Sequence, residues 1–167
     1  MMRSPVPSRW LSAALVGFAV ALVPTAAAAT TPADSSVTFA LRASGAPVVV
    51  IDGKLFADPT GTREPATFQF ATVATGTQLR SPDTGQAVCP GANDQLQLCP
   101  VGNAKTVWDV SRSEANGGRE PGVALRLQGT PQFAGRALVE DRSLLPKPIV
   151  LRGPVMPGQL FELRAAD

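Results

Sequence analysis

The chain has 167 residues, 44% of them hydrophobic, and it contains no histidine. The missing histidine excludes a Ser-His-Asp triad, a Cys-His dyad, an HExxH zinc site and any histidine general base. The net charge of +2 resides in Arg3 and Arg9, because 13 basic and 13 acidic residues remain without them. A neutral remainder argues against a nucleic-acid or acidic-membrane partner held by bulk charge.

Residues 1–29 have the order of a secretory signal peptide. A short positive start is followed by an apolar run over residues 10–23, then by Pro24 and four alanines at 26–29. The run of 14 residues is shorter than the ~20 that span a bilayer, which favours a cleaved signal over a membrane anchor. We expect cleavage after Ala28 or Ala29, a tail over residues 30–36 and one domain over residues 37–167. The protein is then secreted or periplasmic, with no membrane span after cleavage.

The rest of the chain predicts strands rather than helices. No window of a dozen residues after residue 29 keeps a helical period free of proline and glycine. Short alternating or β-branched runs, separated by turn formers such as Asp52-Gly53, instead predict twelve strands. In chain order they are residues 37–42, 48–52, 54–57, 67–73, 77–80, 86–89, 95–99, 106–111, 123–128, 136–140, 149–152 and 160–164.

Cys89 and Cys99 are the only cysteines, and nine residues rich in turn formers lie between them. In an exported protein an even cysteine count suggests a disulfide. A bridge across a short hairpin is the expected arrangement. A metal site is disfavoured, because two thiols without histidine make a poor ligand set.

The twelve predicted strands fall into three groups of four. Each group begins with a leucine-arginine pair followed by a glycine, at residues 41–42, 79–80 and 125–126. Each group closes with an aromatic, a polar and an apolar residue, and the aromatics are Phe68, Trp108 and Phe161. A repeat of roughly 40 residues built of strands needs its neighbours to close a core. We therefore expect these three aromatics in one core. An immunoglobulin-like β-sandwich is the alternative architecture.

The middle group resembles one repeat of the ricin-type β-trefoil, the fold of ricin B-chain lectin domains and of cytolethal distending toxin binding subunits. The matching parts are the turn at residues 83–85, Cys89, the apolar strand ending in Cys99, and residues 106–108 at the family's Q-x-W position. The resemblance implies an all-β trefoil of three four-stranded repeats. It also implies a non-catalytic binding module, either carbohydrate-binding or a toxin-associated subunit.

The segment also departs from the sugar-binding repeats of that family. Those repeats have an acidic residue shortly after the first cysteine and an aromatic near the second. Here Pro90 and Gly91 follow Cys89, and Leu98 stands where the aromatic is expected. The polar residues left as candidate ligand contacts are Asn93, Asp94 and Gln97.

The departures keep a second function open, a secreted protein-binding module such as an inhibitor or an assembly subunit of a hetero-oligomer. The polar loop over residues 111–121 and the segment over residues 144–148 are candidate contact loops. Glu140-Asp141 is the only adjacent acidic pair, and neighbours on a strand point to opposite faces. We interpret this pair as a solvated strand end, and expect no cofactor, no metal and no catalysis. An enzyme without histidine would need carboxylates brought together by the fold.

Overall fold

The structure is a computed structural model that describes residues 35–113, 122–137, 143–153 and 159–166. The expected signal peptide, Glu140-Asp141 and most of the polar loop over residues 111–121 lie outside these ranges. In the described part of the chain, no helix is long and apolar enough to cross a membrane.

The described residues form twelve strands in three repeats of four. The first repeat contains β1 (Ser36–Leu41), β2 (Val48–Ile51), β3 (Lys54–Ala57) and β4 (Thr67–Val73). The second contains β5 (Gly76–Arg80), β6 (Ala87–Pro90), β7 (Leu96–Cys99) and β8 (Val107–Ser113). The third contains β9 (Gly122–Leu127), β10 (Phe133–Arg136), β11 (Lys147–Arg152) and β12 (Phe161–Ala165). The predicted all-β class is confirmed, and eleven predicted strands agree with these bounds to within two residues.

Strand pairing repeats three times around the molecule. In each repeat the first strand pairs with the fourth, as β1 with β4, β5 with β8 and β9 with β12. Each fourth strand also pairs with the first strand of the next repeat, so six strands close into a ring. The hairpins β2–β3, β6–β7 and β10–β11 pair with one another at one end of this ring. The fold is therefore a β-trefoil, and a sandwich is excluded because the ring has no open edge.

The closing aromatics occupy equivalent places in the three repeats. Each lies opposite the second residue of its own repeat's first strand, in the pairs Val37–Phe68, Thr77–Trp108 and Val123–Phe161. All three are at most 2% exposed. The Trp108 Nε1–H donates to the carbonyl of Val88 at 3.0 Å, which satisfies its one polar atom inside the core.

Four side chains of each repeat meet at the centre of the core. These twelve apolar residues surround a void of about 20 Å³: Phe39, Val48, Leu55, Phe68, Leu79, Val88, Leu96, Trp108, Leu125, Ala134, Ile149 and Phe161. The ring of Phe39 packs edge-on against those of Phe68 and Phe161, with centroids 5.5 and 5.8 Å apart. A void of this size with only apolar walls belongs to core packing rather than to a ligand site.

The prediction for the tenth strand, residues 136–140, is wrong, because β10 runs from Phe133 to Arg136. The facing residues of β11 and β9 pair with this earlier segment. Gln159 packs closely against this strand. A Cβ on residue 135 would lie 2.3 Å from the Cγ of Gln159, so a glycine is needed at that position. Strand propensity misses such a segment because a distant residue dictates its composition.

The leucine-arginine pair of the first repeat does not occupy the same structural position as the pairs of the other two repeats. In every repeat one backbone hydrogen bond closes the turn after the first strand, from Leu41 N to Ala46 O, Ser81 N to Gln86 O and Leu127 N to Gln132 O. In this register Leu79 and Leu125 are equivalent, and both correspond to Phe39 rather than to Leu41. The closing aromatics, not the opening pairs, therefore mark the repeat.

The disulfide expected from the sequence joins Cys89 on β6 to Cys99 on β7, with the Cα atoms 6.2 Å apart. Both cysteines are buried. Val88 and Leu98 face each other across the same hairpin. The bridge therefore fixes the hairpin whose turn carries two of the candidate ligand contacts.

Candidate functional site

Asn93 and Asp94 form the tip of the β6–β7 hairpin. Both are exposed, and both have left-handed backbone angles, with φ of 55° and 58°. Asparagine and aspartate tolerate this conformation better than other residues with side chains. The turn therefore displays two polar side chains to solvent on a hairpin that the disulfide holds.

The side chain of Gln97 lies away from this turn. Its side chain packs over Gly91, where an added Cβ would lie 2.5 Å from the Gln97 Cδ and Oε1 atoms. Gln97 faces Cys89 on β6 and Lys54 on β3. It consequently helps to hold the hairpins together, and Gly91 is the residue that makes room for it.

Asp94 lines a cleft of about 230 Å³ between the second and third repeats, called here the Asp94 cleft. Its walls are Pro90, Asp94, Ala104, Lys105, Val107, Leu127, Gln128, Thr130, Gln132 and Leu151. Neither Asp94 nor Lys105 forms an ion pair or a side-chain hydrogen bond with another described residue. Both charges are therefore available to a ligand.

The Asp94 cleft combines an apolar base with a polar rim. Val107, Leu127 and Leu151 supply apolar surface, and the polar side chains come from both repeats. Thr130 Oγ1 donates to the carbonyl of Leu127 at 2.9 Å, which ties part of the rim to the strand below. A rim that both donates and accepts hydrogen bonds over an apolar base suits a small polyol with one apolar face.

A second cleft of about 260 Å³, called here the Glu64 cleft, lies between the first and second repeats. Its walls are Val50, Glu64, Pro65, Ala66, Thr67, Phe68, Ser81, Asp83, Thr84 and Leu98. The two clefts occupy equivalent places in neighbouring repeats. Thr67 lines the Glu64 cleft directly before Phe68, as Val107 lines the Asp94 cleft directly before Trp108. Both clefts are smaller than the ~300–1,000 Å³ of pockets that enclose drug-sized ligands. Each therefore fits one sugar ring or one side chain.

The segment before β11 displays two adjacent leucines. Leu144 and Leu145 are 70% and 68% exposed. Lys147 Nζ donates to Ser143 Oγ at 2.7 Å, which closes the base of this segment. Lys147 and Pro148, expected in the loop, instead belong to β11. Adjacent leucines with most of their surface in water are typical of surfaces that contact another protein.

The acidic groups with shifted pKa values lie in turns and on a strand. The hydroxyl of Thr60 donates to Asp58 Oδ1 at 2.6 Å and lowers the pKa of this carboxyl, aided by the backbone N–H groups of Arg63 and Thr60. Arg164 donates to Glu162 Oε2 at 3.0 Å and lowers the pKa of Glu162. In both cases the hydrogen bonds favour the charged carboxylate. Within the described ranges no group of three or more His, Cys, Asp or Glu residues could hold a metal ion.

No protein-family model matches the chain, and no curated protein sequence does either. Solved structures match it in fold. A designed threefold-symmetric protein, ThreeFoil, is 12% identical with a TM-score of 0.58, over 78% of this chain and 98% of that chain. A ricin B-like lectin from Macrolepiota procera, solved with lactose, is 15% identical with a TM-score of 0.58, over 77% of this chain and 93% of the lectin. The fold that these structures share with this chain is the β-trefoil. A proteinase inhibitor from Coprinopsis cinerea, 14% identical with a TM-score of 0.54, shares it over 77% of this chain and 95% of the inhibitor.

The sequence singled out Asp94 as a candidate ligand contact but did not indicate the residues on the opposite wall of the Asp94 cleft. Lys105 follows β7, and Thr130 and Gln132 belong to the turn between β9 and β10 of the next repeat. The signal that could have found them is the threefold register. The turn after each first strand approaches the segment before the closing aromatic of the preceding repeat.

Proposed function

We propose that the protein is an exported, non-catalytic binding module that holds a single sugar residue in the Asp94 cleft. The unpaired Asp94 and Lys105 above an apolar base carry this proposal. The ricin-type trefoil supports it as a scaffold, because this architecture presents turns and hairpin tips at positions that strands fix. The signal-like residues 1–29 and the disulfide support export.

The chemistry of recognition is hydrogen bonding to hydroxyl groups. Asp94 accepts two ligand hydroxyl donors, and Lys105 donates to a ring or hydroxyl oxygen. Leu127 and Leu151 contact the apolar face of the ring. Since no aromatic side chain lines this cleft within the described residues, affinity rests on these polar contacts. We expect weak binding to one sugar and stronger binding to multivalent display.

A glycan array with the oxidised protein is the first experiment. A bound sugar is then titrated by calorimetry into the protein and into its Asp94→Asn variant. Asparagine keeps the size of the side chain and tolerates the left-handed backbone at position 94, so the fold is retained. Loss of a charged hydrogen-bond partner costs about 1.5–3 kcal/mol, which is roughly a 10-fold to 150-fold loss of affinity.

Asp52→Asn is the matched control. Asp52 is also exposed, has φ of 51° and occupies the tip of the β2–β3 hairpin, so its change removes the same charge from an equivalent turn. We expect unchanged affinity in this control. An array without a binder, or a sugar that binds equally well after Asp94→Asn, contradicts the proposal.

Leu144 and Leu145 favour a second candidate, a protein-binding module that inhibits a proteinase or joins a hetero-oligomer such as a toxin assembly. Two adjacent leucines with most of their surface in water suit a hydrophobic specificity pocket on a partner. Such pockets occur in chymotrypsin-like enzymes.

A panel of trypsin-like, chymotrypsin-like and papain-like proteinases tests this candidate. We expect inhibition of a proteinase with an apolar pocket, and its loss in the Leu144→Ser/Leu145→Ser variant. Val110→Ser is the control, because Val110 on β8 is the other large apolar residue with a high exposed fraction among the described residues. Inhibition that survives the double change refutes this candidate.

A further inference from the structure

The Glu64 cleft carries two carboxylates with no partner. Glu64 and Asp83 both line it and are exposed. Neither carboxylate lies within 4 Å of a basic nitrogen of another described residue. No basic residue is among its walls in the described part of the chain. The cleft is therefore negative where the Asp94 cleft holds one charge of each sign.

The arginines next to these residues in sequence point elsewhere. Arg63 Nη1 lies 3.5 Å from the Oδ1 atom of Asp58, whose carboxylate also accepts two backbone hydrogen bonds. Arg80 donates to the Oε1 atom of Gln78 through Nε and Nη2, at 3.0 and 2.7 Å. Both guanidinium groups are held by other partners and do not neutralise the cleft.

Ser81 adds a buried polar group to the same cleft. It is 6% exposed, and its hydroxyl makes no hydrogen bond with another described residue. The Ser81 oxygen keeps contact with solvent, because Gln95 Nε2 is the one fully buried side-chain polar atom without a partner among the described residues, so the Ser81 hydroxyl is open to a ligand. Val50 and Leu98 provide apolar wall beside it. The cleft thus offers anionic acceptors, one hydroxyl and a short apolar surface.

The trefoil does not require these polar residues. In the threefold register Ser81 corresponds to Leu127, and Asp83, two positions later in the turn, corresponds to Gly129. Glu64, four residues before Phe68, corresponds to Ala104, four residues before Trp108. At these three positions the equivalent residues are apolar or small, and the polar walls of the Asp94 cleft stand at other positions of the repeat. The charge of the Glu64 cleft is a property of this site and not of the architecture.

We propose that the Glu64 cleft is a separate binding site for an ammonium or guanidinium group on a short apolar stem. Glu64 and Asp83 accept the N–H donors of the cation, and the Ser81 hydroxyl accepts a further one. The stem lies on Val50 and Leu98. A lysine or arginine side chain of a protein and the amine of an amino sugar share this chemistry. A cleft of about 260 Å³ fits either.

An NMR titration of the ¹⁵N-labelled protein tests the proposal. The cationic probes are Nα-acetyl-lysine methylamide and glucosamine, and their neutral analogues are Nα-acetyl-norleucine methylamide and glucose. We expect both cations to shift saturably the amide signals that flank the cleft, those of Glu64, Ala66, Thr67, Ser81, Asp83 and Thr84, with at least tenfold weaker binding of the neutral analogues. The cation that binds more tightly identifies the source, a protein side chain or an amino sugar. Added salt should weaken binding because the contact is between charges near the surface.

The Glu64→Gln/Asp83→Asn variant keeps side-chain size and should lose at least tenfold in affinity for the cations. Asp109→Asn/Glu162→Gln is the matched control, since it removes one aspartate and one glutamate on β8 and β12, and should change affinity less than twofold. Equal affinity of the neutral analogues, measured from the signals of the Glu64 cleft, overturns the proposal, as does unchanged affinity for the cations after Glu64→Gln/Asp83→Asn. The Asp94→Asn variant should bind the cations normally, so this proposal and the sugar proposal stand or fall separately.

Discussion

Replacing Trp108 with phenylalanine separates a core role from a ligand role for this side chain. Phenylalanine occupies both equivalent positions, Phe68 and Phe161, so the backbone accommodates it. The change removes the indole N–H that pairs with the carbonyl of Val88 at 3.0 Å. Leaving that buried acceptor unpaired costs about 1–3 kcal/mol. The lost ring volume of about 40 Å³ adds about 1 kcal/mol at ~24 cal/mol per Å³ of cavity. The expected loss of unfolding free energy is therefore about 2–4 kcal/mol.

Phe161→Leu is the control for Trp108→Phe because it removes volume at an equivalent position without breaking a hydrogen bond. It loses the edge-on contact with Phe39, whose ring centroid lies 5.8 Å away. Such contacts contribute about 0.5–1.5 kcal/mol, and with a small residual cavity the expected loss is about 1–2 kcal/mol.

The assay is urea denaturation of the oxidised proteins followed by far-ultraviolet circular dichroism. Equal denaturant slopes in the wild type and both variants ensure that midpoint shifts report stability. Trp108→Phe should shift the midpoint further than Phe161→Leu. A shift equal to or smaller than that of the control refutes the argument from the Val88 hydrogen bond. Loss of ligand affinity at unchanged stability would instead assign Trp108 to the binding surface.

Three further predictions concern the disulfide, one turn and one close contact. Reducing the disulfide, which spans a sequence separation of 10, should lower stability by about 2.5–3 kcal/mol, measured as the urea midpoint with and without reductant. The lowered pKa of Asp58 adds stability above its ordinary value of 3.8, and this is lost as pH falls through the folded pKa. Denaturation midpoints measured below about pH 4 should therefore fall less steeply after Asp58→Asn. Gly135→Ala pushes a Cβ against Gln159 and should cost about 1–3 kcal/mol, whereas Gly102→Ala meets nothing within 4 Å and should change stability by less than ~0.5 kcal/mol in thermal unfolding.

The architecture was accessible from the sequence because its determinants are local. Alternating apolar residues mark strands such as β4, and turn formers separate them. The three closing aromatics place one core residue in each repeat, so the threefold arrangement follows from spacing. The disulfide was accessible for the same reason, since Cys89 and Cys99 flank a short turn. The position of β10 alone was not predicted, because strand propensity does not favour Gly135. This glycine is explained by its close contact with Gln159.

The clefts were not accessible in this way because each is assembled from two repeats. Asp94 could be singled out as a polar residue near a cysteine, but Thr130 lies in the turn of the following repeat. In the sequence Gln97 is a polar residue between the two cysteines, as Asp94 is, but in the structure its side chain packs over Gly91. Which of several exposed polar residues share a cleft depends on the ring of strands and its register.

The threefold register separates what the fold needs from what it leaves free. The twelve core positions form four equivalent triplets, and every one of them is apolar. Around the clefts the equivalent residues differ in charge: Glu64 stands where Ala104 does, and Pro65 where Lys105 does. The side chains of Glu64 and Lys105 make no hydrogen bond or ion pair with another described residue, so the fold does not need their charges. The two proposed sites therefore differ at positions that the fold leaves free, and we expect the two clefts to recognise different chemical groups.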